Sequence, residues 1–88
     1  MILFFERQFY KDLKVITDKK TKKQLETILN NLETVPNLTS VNHLKKLKGH
    51  TTAYRIRIGE YRLCFFYENK TAIITRILHR KEVYRYFP

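Results

Sequence analysis

An α+β fold with the element order β-α-α-β-β-β is predicted by three features of the chain. Tyr54–Leu63 alternates apolar and cationic residues with period two across a Gly59-Glu60 break, which describes a two-stranded ribbon with one apolar and one cationic face. Asn69-Lys70 separates two further strand-like runs at hairpin length. Upstream, apolar residues recur at helical spacing in two successive segments. Together these predict one small domain over the 88 residues, with an antiparallel sheet, two helices on one of its faces, and the other face open.

Met1–Phe5 is a short apolar run and reads as the first strand. Glu6–Ile16 reads as a helix, because Phe9, Leu13 and Ile16 fall at i, i+4 and i+7. Thr17 or Asp18 supplies the oxygen that caps a second helix over Lys19–Thr34, whose buried stripe is Leu25, Ile28, Leu29 and Leu32 and whose end is set by Pro36. Pro36–Thr52 reads as a connector anchored by Leu44 and Leu47, with a turn at Gly49. Strands follow over Ala53–Ile58, Tyr61–Glu68 and Thr71–Leu78, and His79–Pro88 is a basic, aromatic tail or single helical turn. Six Phe and six Tyr give so small a core much of its buried area.

No apolar run of about 18 residues is present, so no membrane-spanning helix is expected. Met1–Phe5 is too short for a signal-peptide core and lacks a basic lead-in, so the chain reads as cytoplasmic. Cys64 is the single cysteine, which rules out an internal disulfide or a Cys-based zinc site; among apolar strand residues it reads as a buried thiol. The formal charge of +10 is heavy self-repulsion for this size and predicts a polyanionic or acidic partner. Nucleic acid, a membrane surface and an acidic protein all fit that charge. A membrane-bound helix needs a spare apolar face, and the basic helix here spends its apolar stripe on the core. Nucleic acid and an acidic protein therefore stand ahead.

Arg55 and Arg57 share the face of the ribbon opposite Tyr54, Ile56 and Ile58, and Arg62 joins them from the next strand. Only Glu60 and Glu68 lie nearby, so these guanidinium groups are underpaired and describe a phosphate site. Lys19, Lys20, Lys22 and Lys23 crowd the start of the second helix against its macrodipole, either as a solvated face or as nucleic-acid contacts.

Leu47-Lys48-Gly49, Tyr54 to Leu63, and His79-Arg80-Lys81-Glu82-Val83-Tyr84-Arg85 together resemble the RelE/ParE superfamily of toxins from type II toxin–antitoxin pairs. The resemblance spans the chain and implies the microbial-RNase-like fold of that family. RelE-type toxins enter the ribosomal A site and cut messenger RNA; ParE-type toxins inhibit DNA gyrase without nuclease activity. Resemblance to the RelE branch places the scissile phosphate among Arg55, Arg57, Arg62, Arg80 and Tyr84. The second-strand pair, lysines in some relatives, are arginines here. His79 is a further catalytic candidate beside Arg80, because histidine is the side chain suited to proton transfer near neutral pH. Lys45, Lys46, Lys48, Arg76, Lys81 and Arg85 are expected RNA contacts, with Arg76 and Arg85 alternatively touching an antitoxin. His43 and His50 read as surface histidines of the connector.

The chemistry implied is attack of the RNA 2′-OH on the adjacent phosphorus, with no cofactor or metal. Arginine suits the developing phosphorane charge but holds its proton too tightly to move it. Tyr84 and His79 are the groups left for proton transfer, and Glu60 and Glu82 read as salt-bridge partners. The partners implied are the ribosome, messenger RNA and a small antitoxin; the free toxin is expected as a monomer and the complex as a hetero-oligomer. The alternatives are a gyrase inhibitor and an inactive nucleic-acid-binding relative.

Overall fold

The apolar stripes of the two helices decide which side of the sheet they cover. In a computed structural model describing residues 1–88, β1 (Ile2–Phe5) leads into α1 (Arg7–Val15) and α2 (Lys19–Thr34). Phe9 and Ile16 from the first helical segment and Leu25 and Leu32 from the second are buried, with Leu13, Ile28 and Leu29 packed beside them. Asp18 caps α2: its carboxylate accepts from the Lys20 amide at 3.2 Å and the Thr21 hydroxyl at 2.6 Å. That second contact chiefly lowers the Asp18 pKa. No helix is long and apolar enough to cross a membrane.

The sheet has five strands in the order β1-β5-β4-β3-β2, where β2 is Leu44–Lys46, β3 Ala53–Ile58, β4 Tyr61–Glu68 and β5 Thr71–His79. Gly59, with φ 57°, is the first central residue of the β3–β4 turn, and Asn69 and Lys70 both adopt positive φ in the β4–β5 turn. Both are the primed-turn geometry that suits strand twist. Ile56, Ile58, Leu63, Phe65, Ala72, Ile74 and Ile77 fill the core under the helices. A register shift between Cys64 and Phe65 in the β4–β5 ladder accounts for the three-residue step from Ile74 to Ile77 on that face.

Three expectations need correction. The sheet is mixed rather than antiparallel: β1 pairs parallel to β5, from Ile2 opposite Thr71 to Phe5 opposite Ile74. No hairpin joins these two strands, so no turn dictates their direction. The connector is not without structure, since Leu38–Ser40 forms a 3-10 turn and β2 pairs antiparallel with β3, Lys45 opposite Arg55. The far face is not fully open. A short helix, α3 (Val83–Tyr86), lies across it, and Val83 and Phe87 bury Ala53, Cys64 and Leu78 in a second apolar cluster. Cys64 is fully buried there, and burial pushes its thiol up to about 12. It is an inert packing residue.

Asp12 of α1 closes a gap in the sheet. β1 stops at Phe5, leaving the end of β5 without a neighbour on that side. The Asp12 carboxylate accepts from the Ile77 amide at 3.1 Å and holds the Arg76 guanidinium through two bonds of 2.8 and 3.0 Å.

Candidate functional site

The period-two pattern of β3 and β4 and their pairing put the cations in rows across the sheet. Lys45 of β2 stands opposite Arg55 of β3, and Arg57 of β3 directly opposite Arg62 of β4. Like charges facing each other across strands are destabilising, so this row is costly as structure. No carboxylate pairs with Arg55, Arg57 or Arg62; the ion pairs present are Asp12–Arg76 and the contacts of Glu60 with Arg80 and His79.

Arg55 is only 8% exposed, and its roof is Tyr84 of α3, itself 78% exposed. Arg55 Nη2 donates to the Tyr84 hydroxyl at 3.1 Å, and the guanidinium carbon lies 4.9 Å from the ring centroid. No fully buried side-chain nitrogen lacks a partner, so the remaining Arg55 donors face the adjoining clefts. That hydrogen bond, with the Arg55 charge, holds the Tyr84 phenol below the usual tyrosine range. Arg62 Nη1 donates to the carbonyls of Gly59 and Tyr61, both at 2.9 Å. Burial, then the charges of Arg55, Arg57 and Arg80, lowers the Arg62 pKa. Arginine stays protonated even so, and the shift records crowding.

Two clefts share Arg55 and Arg62. One, of about 310 Å³, is lined by His43, Leu44, Lys45, Arg55, Arg57 and Arg62. The other, of about 360 Å³, adds Arg80, Lys81, Val83 and Tyr84. Arg80 is aimed by Glu60, whose carboxylate accepts from its Nε at 3.0 Å and whose backbone carbonyl accepts from its amide at 2.8 Å. Of the expected site residues, Arg55, Arg57, Arg62, Arg80 and Tyr84 therefore line one continuous surface, joined by Lys45 and Lys81.

The others lie elsewhere. His79 lies outside both clefts, edge-on to Tyr61 at 5.5 Å, with Nδ1 accepting from the Lys81 amide at 3.2 Å. Lys46 turns to the helix-covered side, its Nζ 6.0 Å from the Tyr54 ring centroid. Arg76 is occupied by Asp12 and stacks under Tyr86 at 5.3 Å. Lys48 and Arg85 are exposed and line neither cleft.

His43 is the site residue the sequence did not reveal. It sits just before β2 with φ 61°, and its carbonyl accepts from the Arg57 amide at 3.2 Å. Its Nδ1 lies 3.0 Å from Arg57 Nη2. Arginine has no acceptor, so Nδ1 must accept, and the neutral ring then carries its proton on Nε2. A connector residue shows no periodicity that signals this placement. The cluster is thus rich in donors: guanidinium groups, a phenol with its oxygen already accepting from Arg55, and an imidazole N–H. No three His, Cys, Asp or Glu side chains converge in a metal-holding group.

Known proteins share both sequence and fold with this chain. The profile of the family described as ParE toxin of type II toxin-antitoxin system, parDE, matches residues 3–84. Toxin RelE3 of Methanocaldococcus jannaschii is 39% identical over 92 aligned positions, covering 100% of both chains. The crystal structure of a RelB–RelE antitoxin–toxin complex from Methanococcus jannaschii superposes with a TM-score of 0.83 at 35% identity, covering 97% of this chain and 99% of that one. The YoeB dimer of Staphylococcus aureus gives a TM-score of 0.73 at 25% identity, over 91% and 97% of the two chains. On these grounds the chain belongs to the RelE/ParE superfamily of toxins from type II toxin–antitoxin systems.

Proposed function

We propose that this toxin is a ribosome-dependent messenger RNA endonuclease that uses the RNA's own 2′-OH as nucleophile. The observation that carries this reading is the unneutralised row Arg55, Arg57 and Arg62, extended by Arg80 and Tyr84 along two joined clefts. A phosphodiester held there meets several guanidinium groups from one side. Their charge counters the extra negative charge that develops on the phosphorane. The 2′-oxygen attacks phosphorus and the bond to the 5′-oxygen breaks, leaving a 2′,3′-cyclic phosphate and a 5′-OH.

Tyr84 is the proton donor to the departing 5′-oxygen. Its oxygen accepts from Arg55, so its own proton points away from that arginine, and its lowered pKa makes it a stronger acid than a free phenol. The 2′-OH proton leaves to solvent or to a non-bridging phosphate oxygen, because no carboxylate lines either cleft. A site built of donors acts slowly on free RNA. The ribosomal A site supplies the substrate alignment that the toxin does not.

The sign of the pH dependence follows from that role. An acid must be protonated to work, so cleavage is retained below the phenol pKa and falls as pH rises through it. The descending limb begins below that of an ordinary tyrosine, whose pKa is about 10. Tyr84→Phe should slow single-turnover cleavage by about 10²-fold and remove the limb. A Tyr84→Phe variant that keeps the same alkaline fall would take the acid role away from this residue.

Neutralisation by a small antitoxin is part of the same reading, supported by the antitoxin-bound Methanococcus relative. A largely apolar groove of about 490 Å³ beside α1 and α2, with Phe5, Tyr10, Leu13, Leu25 and Leu29 on its walls, suits an amphipathic segment. The family profile's ParE description keeps gyrase inhibition as the second reading. Mapping messenger RNA 5′ ends after brief induction separates the two: new ends inside translated frames, lost when translation is blocked, support the nuclease. Intact messages with arrested DNA replication would give the chain to the gyrase inhibitors.

A further inference from the structure

A third cleft, of about 640 Å³, opens between α2 and the β3–β4 turn. Lys20, Lys23, Gln24 and Thr27 form one wall, at the i, i+3, i+4, i+7 spacing that puts them on one helix face. His43, Arg57 and Gly59 form the other, and Ile28 and Ile58 are the hydrophobic residues between them. No acidic residue lines it, and neither Lys20 nor Lys23 has a carboxylate partner. Both lysines lie early in α2, where the helix field disfavours them. Asp18 already serves this helix end, so the lysine side chains, rather than free helix amides, are what the cleft offers an anion.

This cleft shares His43 and Arg57 with the first of the two site clefts, which shares Arg55 and Arg62 with the second. The three form one cationic track from Tyr84 and Arg80, past Arg55, Arg62 and Arg57, to Lys23 and Lys20. We infer that the cleft at Lys20 and Lys23 is a binding subsite for the phosphates of the same single RNA strand that is cut at Arg55 and Arg62. His43 and Arg57 mark the point where the strand leaves the scissile site. The inference rests on the nuclease reading above. An acidic protein segment is the competing occupant; what favours RNA is that the cleft runs without a break into the arginine site through His43 and Arg57.

The test measures affinity by fluorescence anisotropy with 2′-O-methyl RNAs, which cannot be cut because the nucleophile is blocked. A trinucleotide fills the scissile site alone, whereas a nonanucleotide reaches the α2 cleft. The wild-type toxin should bind the nonanucleotide more tightly. Lys20→Gln with Lys23→Gln should remove about tenfold of that affinity at low salt and reduce its log–log salt slope by about 1.4, the share of two phosphate contacts on a single strand. Trinucleotide affinity should not change, and a melting temperature no lower than that of the wild type certifies the fold. The inference is overturned if length confers no gain, or if the double variant weakens both oligonucleotides equally or neither. Loss of affinity only for an RNA stem-loop, or only for a poly-glutamate decamer, also overturns it and gives the cleft to ribosomal RNA or to a protein. Arg62→Ala reports separately on the nuclease reading, since it should weaken both oligonucleotides.

Discussion

Arg62→Ala should abolish growth arrest and lower ribosome-dependent cleavage by about 10²- to 10³-fold, the usual cost of losing one donor to a developing oxyanion. Arg62 is common to both site clefts and faces Arg57 across the strands, so it is the cation best placed to reach a phosphate from either side. The same substitution should leave the fold as stable as before, or more so. Burial and the charges of Arg55, Arg57 and Arg80 all oppose the Arg62 charge, and alanine relieves that crowding. The bonds it gives up go to carbonyls beside an exposed turn, which water can satisfy. Cleavage assays beside thermal melts at low and high salt measure both effects. Full toxicity in this variant would remove Arg62 from the chemistry, and a collapsed melting temperature would make its role structural. Loss of function without loss of stability is what a site maintained against electrostatic cost predicts.

Asp12→Ala should carry the largest stability penalty, about 3 kcal/mol, because it leaves a largely buried guanidinium and a buried backbone amide without their acceptor. For a domain of this size that lowers the melting temperature by roughly 12–24 °C. Asp12→Asn keeps an acceptor for Ile77 while discarding the charge, and should lose less. Pairing Asp12→Leu with Arg76→Met should cost less than the two single changes added together, since no charge is then stranded. Urea denaturation of these five variants tests this. Additive losses would show that Asp12 and Arg76 act independently.

Much of the candidate site's layout was legible because its parts are local. Arg55, Arg57 and Arg62 belong to one hairpin, so alternation alone puts them on one face. The stripes of α1 and α2 were equally plain, and resemblance supplied Arg80 and Tyr84. What escaped the sequence depends on distant pairing. β2 is three residues long with two lysines, too short for alternation and charged as edge strands often are. His43 is carried into the site by β2 and so was missed with it. Asp12 left a signal: it lies three residues after Phe9 and four before Ile16, a carboxylate on the core stripe of α1. Such a residue requires a buried cation, and Arg76 is the one that answers it. The cover over the arginine face was hidden in Val83 and Phe87, two apolar residues in a tail otherwise read as basic and exposed.

The parallel pairing of β1 with β5 has a consequence for how the chain acquires its shape. β3, β4 and β5 meet through two-residue turns, whereas Ile2 must find Thr71 across nearly the whole length of the polypeptide. Closing that long loop forfeits chain entropy before its contacts return anything, so the meander is expected to assemble early and β1, with α1 behind it, to dock late. Until it does, Ile74 and Ile77 lack the cover of Phe9 and Ile16. A refolding toxin that follows this order should hold its guanidinium row in register while its hydrophobic side is still wet, and self-association during refolding, suppressed by dilution, is the expected sign of it.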